Sequence, residues 1–316
     1  MARTRKGLIE AASALGLAAL VLTGCSNGNP LSSDDSGSKG SSKTITVGSA
    51  AFPENEILAY IYADALSDAG VKTAVKANIG QRDRYIAALK SGEIQLVPEY
   101  TGNLLQFLDS SATATSSDDV YSALQTATKS GGSGKLDAGK AEVLEQSPGQ
   151  DADSYNVTKK FSDDNNVKSL ADLKNVTTPL KVGANPEFAT RPYGIPGLKS
   201  AYGVTATLTP ISDSGGPNTL KALLDGDVQL ADIYSTTPSI KQNNLVTLED
   251  PQHLIGAQNV VPLIATASAS SKVTDTLNKL SAKITTDVLI DLNTKSSVDK
   301  QSAQTIAKAW VKANGF

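Results

Sequence analysis

The chain has 316 residues, of which 40% are hydrophobic and 19% are charged, values typical of a soluble globular protein that buries one large or two modest cores. Its net charge of −3, with no cluster of lysines and arginines beyond the first six residues, argues against a nucleic-acid partner. A single cysteine and a single histidine exclude a disulfide framework and multi-thiolate metal sites, and they leave little scope for histidine-based chemistry.

The N-terminal segment predicts export and attachment to a membrane. Residues 1–25 combine a basic start with a short apolar run, which is typical of a secretory signal peptide and too short to span a bilayer comfortably. The segment ends in Leu-Thr-Gly-Cys, which resembles a bacterial lipobox, so we expect Cys25 to carry a lipid anchor. A plain signal peptide with an incidental cysteine is the alternative. Residues 26–43 are rich in Ser, Gly, Asp and Asn and predict a flexible tether.

The first half of the folded region alternates strands and helices. An alternating strand is predicted over 43–47, and apolar residues then recur at helical spacing over 54–69 until Gly70 ends the run. A strand is predicted over 71–79. After a further helix and strand, the pattern predicts helix over 101–127.

One pattern occurs twice, at 88–100 and 222–234. Each copy has Ala-Leu, a glycine, an acid, a β-branched residue, Gln-Leu and a closing tyrosine, Tyr100 or Tyr234. This is the pattern of a helix end, a glycine cap and a short apolar strand. Because the strand and Phe-containing loop upstream also match, the sequence predicts two similar α/β lobes. Ligands of open α/β sheets bind at the carboxyl ends of strands, so we expect both tyrosines at a shared cleft.

The second half predicts a hinge, a second lobe and a return to the first. The polar, turn-rich segment 148–155 is the first hinge candidate, and the second lobe extends over about 157–254. The chain then crosses back near 256–259. Helices predicted around 274–292 and 298–313 would pack on the first lobe.

Catalytic signatures are weak throughout the sequence. Residues 212–217 read Ser-Asp-Ser-Gly-Gly-Pro, close to the nucleophile motif of chymotrypsin-type proteases, but the only histidine, His253, follows the serine instead of preceding it. Gly134-Lys135 lacks the other residues of a phosphate-binding loop. The acids of the two repeats lie at helix–strand junctions, where no hydrolytic pair with a defined separation can be placed.

Three tyrosines suggest recognition of a cation. Tyr100, Tyr155 and Tyr234 fall at strand ends or at the crossing between lobes. Aromatic faces that converge in a cleft suit a permanent cation, and each ring contributes roughly 0.5–2 kcal/mol. Simple packing of the cleft walls explains the same spacing equally well.

Several short segments together carry a family resemblance: Val47-Gly48-Ser49, Pro98-Glu99-Tyr100-Thr101-Gly102, Asp153-Ser154-Tyr155, Pro186-Glu187-Phe188 with Arg191, Pro196-Gly197-Leu198, Asp232-Ile233-Tyr234-Ser235-Thr236, and Leu248-Glu249-Asp250 with His253. With them the chain from about residue 44 to its end resembles the substrate-binding proteins of ABC importers for glycine betaine, choline and related quaternary amines. The resemblance implies an α/β, two-lobed periplasmic-binding-protein type II fold with a hinge and a central ligand cleft.

The resemblance also implies a ligand site. Tyr100, Tyr155 and Tyr234 would form the walls of an aromatic cage around the trimethylammonium group. Asp153 would offer its backbone carbonyl to the polarised methyl groups. Arg191 would bind a carboxylate with the fork geometry of its guanidinium group.

Four further positions bear on the ligand. Phe52, Asn103 and Gln258 complete the predicted ligand-binding set. Asn103 stands where a threonine often contributes a hydroxyl in the family, and Gln258 stands in place of a fourth cage aromatic. Ala50 stands where many members carry a lysine that binds the carboxylate. These departures leave the identity of the ligand open.

The sequence therefore predicts a monomeric, non-enzymatic solute receptor without metal or cofactor. Its lobes are 44–152 plus 258–316, and 153–257. The receptor would sit on the outer face of the bacterial cytoplasmic membrane through its lipid anchor, bind a quaternary ammonium osmolyte and deliver it to the permease subunits of an ABC importer. The alternatives are the same receptor for another small polar or aromatic ligand and, more distantly, a lipid-anchored hydrolase.

Overall fold

The computed structural model describes residues 44–316. The predicted signal peptide, the tether and Cys25 lie outside the described residues, so the lipid anchor stays a prediction. Within 44–316, none of the helices combines the length and the apolar character needed to cross a membrane.

The strands of the described region form two five-stranded sheets, which with their helices we call lobe 1 and lobe 2. The lobe 1 strands are β1 (Ile45–Gly48), β2 (Thr73–Lys76), β3 (Leu96–Tyr100), β4 (Ala141–Val143) and β10 (Val260–Ala265). The lobe 2 strands are β5 (Tyr155–Val157), β6 (Leu180–Ala184), β7 (Ala206–Pro210), β8 (Leu230–Asp232) and β9 (Val246–Thr247). All strands of the second sheet lie inside 153–257, and all strands of the first lie outside it.

Helices pack against both sheets. Those of lobe 1 are α1 (Pro53–Asp68), α2 (Arg82–Ser91), α3 (Thr101–Leu108), α4 (Ser117–Ser130), α9 (Ser271–Ser281), α10 (Thr286–Ser297) and α11 (Ala303–Ala313). Those of lobe 2 are α5 (Lys159–Asn165), α6 (Ile195–Tyr202), α7 (Pro217–Leu224) and α8 (Ser239–Gln242). Short 3-10 helices cover Leu170–Asn175, Pro186–Ala189 and Thr266–Ser268.

Several predicted elements are shorter or divided in the structure because local caps start new helices. The predicted helix over 101–127 is two helices, and the side chain of Ser116 accepts the backbone N–H of Asp119 at the start of α4. The region 274–292 also holds two helices, and Thr285 caps the second of them.

The two sheets have the same topology, which explains the repeated sequence pattern. Their strand orders are β2-β1-β3-β10-β4 and β7-β6-β8-β5-β9. In each sheet the first three strands are parallel and the fourth is antiparallel to them. This fourth strand is the last strand of lobe 1 in the sequence, β10, and the first strand of lobe 2, β5. Gly92 and Gly226 precede β3 and β8 in left-handed conformations (φ 78° and 82°), which a side chain rarely adopts. The glycine of each repeat therefore ends a helix and turns the chain into the central strand.

Residues along β3 alternate between two hydrophobic cores. Leu96 packs with α1 and the C-terminal helices, whereas Val97 packs with α2, α3 and α4 on the other face. Because both faces of this strand are covered, the apolar residues Leu96 and Val97 occupy consecutive positions instead of alternating with polar ones.

The two crossings between the lobes lie side by side. Gln150 and Asn259 form an antiparallel bridge, and the N–H of Asp151 donates to the carbonyl of Gln258 at 3.1 Å. The side-chain amide of Asn259 donates to the carbonyl of Ser147 at 2.9 Å. The connection between the lobes is thus a pair of hydrogen-bonded segments.

Candidate ligand-binding cleft

A cavity lies between the lobes, next to the carboxyl ends of β3 and β8. Six of the predicted ligand-binding residues line it: Phe52, Tyr100, Asn103, Asp153, Arg191 and Tyr234. Its volume is about 40 Å³. A cavity of about 150 Å³ holds benzene, so the lobes must move apart before a solute of several heavy atoms can enter.

Four aromatic residues line this cavity, and three of them, Phe52, Tyr100 and Tyr234, pack against one another. The ring centroids of Phe52 and Tyr100 are 5.9 Å apart, and those of Phe52 and Tyr234 are 5.7 Å apart in an edge-to-face arrangement. Phe52 precedes α1, Tyr100 ends β3, and Tyr234 follows β8. Of the three rings that pack together, lobe 1 therefore supplies two and lobe 2 supplies the third.

The loop before α7 supports Tyr234 and explains the protease-like motif. A Cβ atom on Gly215, which has φ +73°, would lie 2.9 Å from the carbonyl oxygen of Asp232, so only glycine allows this close approach. The carboxylate of Asp213 accepts the N–H groups of Asn218 and Thr219 at 2.7 and 3.2 Å, at the start of α7. The motif thus has a structural role in positioning the strand end that leads to Tyr234.

Tyr155 differs from the sequence-based expectation, because its ring lies in the hydrophobic core of lobe 2. It is 1% exposed, packs edge-to-face against Phe188 at 5.8 Å, and is not among the residues that line the cavity. Its hydroxyl donates to the carbonyl of Tyr193 at 2.8 Å.

Gln258 also stands back from the cavity and supports Asn103. Its side-chain oxygen accepts the N–H of Asn103 at 2.9 Å, and its side-chain nitrogen donates to Asn103 Oδ1 at 3.0 Å. Asn103 in turn donates to Asp153 at 2.8 Å and accepts the hydroxyl of Tyr193. This asparagine of lobe 1 is therefore a direct polar link to the crossing segment and to lobe 2.

Arg191 is engaged with protein groups on several sides. Its Nη1 donates to the hydroxyl of Tyr193 at 2.7 Å and to Asp153 at 3.3 Å, and its Nη2 lies 3.3 Å from Glu187. Burial alone would lower the pKa of Arg191, but the neighbouring Tyr193 and Asp153 outweigh it and raise the pKa above its usual value. Arg191 stays positively charged, and its charge is balanced by acids already in place.

A second arginine, Arg82, lines the cavity from lobe 1. It makes a two-pronged ion pair with Glu99, at 2.9 Å from Nε and 3.0 Å from Nη2. Tyr85 donates its hydroxyl to the same carboxylate at 2.8 Å. Glu99 is fully buried, so its position and that of the guanidinium group are tightly defined.

A buried acid cluster joins the lobes beside the cavity. The hydroxyl of Thr236 lies 2.7 Å from Glu54 and 2.8 Å from Asp151, and Asn293 donates to Glu54 at 2.6 Å. Tyr100 donates its hydroxyl to the other oxygen of Glu54 at 2.7 Å. Burial raises the pKa of Glu54, and burial together with the charge of Glu54 raises the pKa of Asp151.

Sequence reasoning missed Arg82, Asp151 and Thr236. Arg82 follows Gly80-Gln81 at the start of a helix, where a charged residue reads as solvent-exposed. The only local signal for Asp151 and Thr236 was their position next to the predicted hinge and to Tyr234.

The chain is similar to known proteins over most of its length. Residues 43–313 match the family model for the substrate binding domain of ABC-type glycine betaine transport systems. The glycine betaine-binding protein YehZ of Escherichia coli K12 is 25% identical over 286 residues, which cover 86% of this chain and 91% of YehZ.

Solved structures share the fold. A protein described as a glycine betaine/carnitine/choline ABC transporter superposes with a TM-score of 0.68 at 19% identity, covering 85% of this chain and 98% of its own. Lactococcal OpuAC in its closed, glycine betaine-bound conformation superposes with a TM-score of 0.60 at 15% identity, covering 86% and 96%. The predicted α/β, two-lobed type II periplasmic-binding-protein fold is thus confirmed. Because the family model matches most of its length, the chain belongs to the family of substrate-binding domains of ABC-type glycine betaine transport systems.

Proposed function

We propose that the cleft binds a quaternary ammonium osmolyte, such as glycine betaine or choline, for delivery to the permease of an ABC importer. The observation that supports this most directly is the meeting of Phe52, Tyr100 and Tyr234 at one cavity that also holds the carboxylates of Asp151 and Asp153. The name of YehZ and the ligand in the OpuAC structure point to the same class of compound.

The physical basis is attraction of a permanent cation to ring faces and acids. Each ring contributes roughly 0.5–2 kcal/mol, more when water is excluded from the site. A trimethylammonium group cannot donate N–H hydrogen bonds, so ring faces and nearby negative charge are the features that recognise it. In this proposal the cage walls are Phe52, Tyr100 and Tyr234, while Tyr155 and Gln258 support the site from behind.

Opening and closing of the hinge controls access. The present cavity is small, and the direct contacts of Asn103 with Asp153 and Tyr193 hold the lobes together. We expect the ligand to enter an open form and to replace part of these contacts when the lobes close around it. The closed form then presents both lobes to the permease.

The cleft favours binding over hydrolysis. Its two acids, Asp151 and Asp153, come from the same crossing segment, so they do not face one another from opposite lobes. Each already accepts a hydrogen bond, Asp151 from the backbone N–H of Thr236 and Asp153 from the side chain of Asn103. The proposal therefore includes no catalytic residue. It also retains the lipid anchor at Cys25, placement on the outer face of the membrane and a monomeric state as expectations from the sequence.

Titration calorimetry with matched ligands tests the proposal. We expect heat of binding with one or more of glycine betaine, choline, carnitine and proline betaine. The neutral carbon isostere of choline, 3,3-dimethyl-1-butanol, should bind at least tenfold more weakly than choline if the positive charge is what the rings recognise. Absence of binding with all four quaternary amines would remove the quaternary-amine assignment and leave the receptor role.

A further inference from the structure

Arg82 is held at the cavity by an arrangement that leaves part of its guanidinium group available. The side chain is 15% exposed, and Glu99 fixes it through the Nε and Nη2 edge. Tyr85 adds a hydrogen bond to Glu99, so the carboxylate has little freedom to turn away. The guanidinium group is therefore preorganised before any ligand arrives.

Arg82 keeps N–H donors that Glu99 does not use. A guanidinium group has five N–H donors in a rigid fork, and Glu99 uses two of them. Within 44–316, Nη1 of Arg82 has no hydrogen-bond partner, and Nη1 and Nη2 together form the end-on fork that fits a carboxylate. Arg191 differs, since both of its Nη atoms already contact Asp153, Tyr193 or Glu187.

Positive groups line the cavity together with the acids Asp151 and Asp153, so the cavity suits a ligand that carries both charges. Among the lobe 1 residues that line the cavity, Arg82 is the only cation, and the neighbouring wall at Ala50 is a methyl group. Arg191 of lobe 2 lines the same cavity, so two guanidinium groups converge on it. Arg82 also begins α2, and its N-cap residue Gln81 lines the cavity without capping the first N–H groups of the helix.

We propose that Arg82 binds the carboxylate of a zwitterionic ligand whose quaternary ammonium group lies against Phe52, Tyr100 and Tyr234. This inference rests on the proposed function and narrows it to betaines, that is, to quaternary amines that carry a carboxylate. Arg82 is then the residue that distinguishes glycine betaine from choline. Glu99 and Tyr85 act as positioning residues for it.

Removal of the arginine together with its buried partner tests the inference. In Arg82→Met/Glu99→Gln no buried carboxylate is left without its cation, so the fold should persist. We expect glycine betaine affinity to fall roughly 10- to 100-fold, the effect of losing charge-assisted hydrogen bonds, while choline affinity changes by less than about threefold. Arg84→Met, which removes a neighbouring exposed arginine, is the matched control and should bind both ligands like the wild type.

A second variant tests the inference independently if the double variant does not fold. Arg82→Lys keeps a positive charge beside Glu99, but a single ammonium group lacks the fork that serves Glu99 and the ligand at once, so it should lose betaine affinity selectively and by a smaller factor. Equal losses for both ligands, or unchanged betaine binding in both Arg82 variants, would overturn the inference. Wild-type protein that binds choline and not glycine betaine would overturn it while leaving the proposed function in place. If the wild type binds none of the four quaternary amines named above, both fail together.

Discussion

The hydroxyl of Thr236 in lobe 2 lies 2.7 Å from a carboxylate oxygen of Glu54 in lobe 1, and both residues are buried. The same hydroxyl lies 2.8 Å from Asp151 in the crossing segment. A hydroxyl has one proton and donates to one acceptor only, so the second contact is a hydrogen bond only when that carboxyl group is protonated. The geometry fits one proton shared by the two acids, and it joins the lobes through residues of which only Asp151 lines the ligand cavity.

Replacement of Thr236 by valine should weaken ligand binding without touching the cage. The change leaves two buried carboxyl groups without their shared hydroxyl, at a cost of about 1–3 kcal/mol, which falls on the closed form because the contact crosses between the lobes. We expect about 5- to 150-fold weaker glycine betaine binding by calorimetry. Thr237→Val, at the neighbouring half-buried position, serves as control. Wild-type affinity in Thr236→Val would mean that this contact does not stabilise closure.

The stability of the protein should depend on pH through Glu54. Burial raises the pKa of both Glu54 and Asp151, so the native state keeps a proton that the unfolded chain releases above about pH 4.3. The contribution of this pair to the free energy of unfolding is therefore complete at low pH and is lost as pH rises toward the raised native pKa, by at most about 1.4 kcal/mol per pH unit for one proton.

Urea unfolding of the wild type and Glu54→Gln between pH 4.5 and 8 measures this effect. The amide cannot ionise, so the free energy of unfolding of Glu54→Gln should decline less with rising pH than that of the wild type. Glu93→Gln alters an exposed carboxylate on the same lobe, and its curve should run parallel to that of the wild type. Parallel curves for Glu54→Gln as well would contradict the shared proton.

Tyr234 should contribute to binding through its ring. Tyr234→Ala removes the only cage wall that lobe 2 supplies and should weaken quaternary amine binding roughly tenfold or more. Tyr234→Phe keeps the ring face and should stay within about threefold of wild type. Calorimetric titration of both variants distinguishes a ring contribution from a hydroxyl contribution. A loss of affinity well above threefold in Tyr234→Phe would show that the hydroxyl contributes to binding.

Tyr155 should matter for stability more than for binding. Tyr155→Leu removes a buried ring and its hydrogen bond to Tyr193, which should lower the free energy of unfolding by about 1–3 kcal/mol. We expect ligand affinity to change by less than about threefold. Thermal unfolding followed by titration below the transition decides between the two roles. A large loss of affinity at unchanged stability would show instead that Tyr155 contributes directly to ligand binding.

The repeated lobe was predictable from sequence because its signals are local. The helix end, the left-handed glycine and the apolar strand lie within one short segment, and Gly92 and Gly226 adopt the conformation that the pattern requires. The tyrosines that close the two segments line the same cavity for that reason. The family resemblance added Arg191, Asp153 and Asn103, which also line it.

Side-chain direction and long-range pairing were beyond the sequence signals. All three residues of β5 are buried, so no alternation shows which face Tyr155 takes, and packing against Phe188 decides it. The partners Glu54 and Thr236 are 182 residues apart, and no periodic pattern connects them. The roles of these residues follow from tertiary packing.

The two segments that connect the lobes are hydrogen-bonded to each other at Gln150 and Asn259, so they are expected to move together. Two independent connections would allow the lobes to rotate about several axes and to translate, whereas two bonded connections restrict the motion mainly to rotation about one axis. Few relative motions of the lobes are then lost when the ligand binds, so the conformational entropy cost of closing around it is low. Each closing movement also returns the rings and the arginines to the same positions, so a site divided between two bodies can recognise one compound reproducibly.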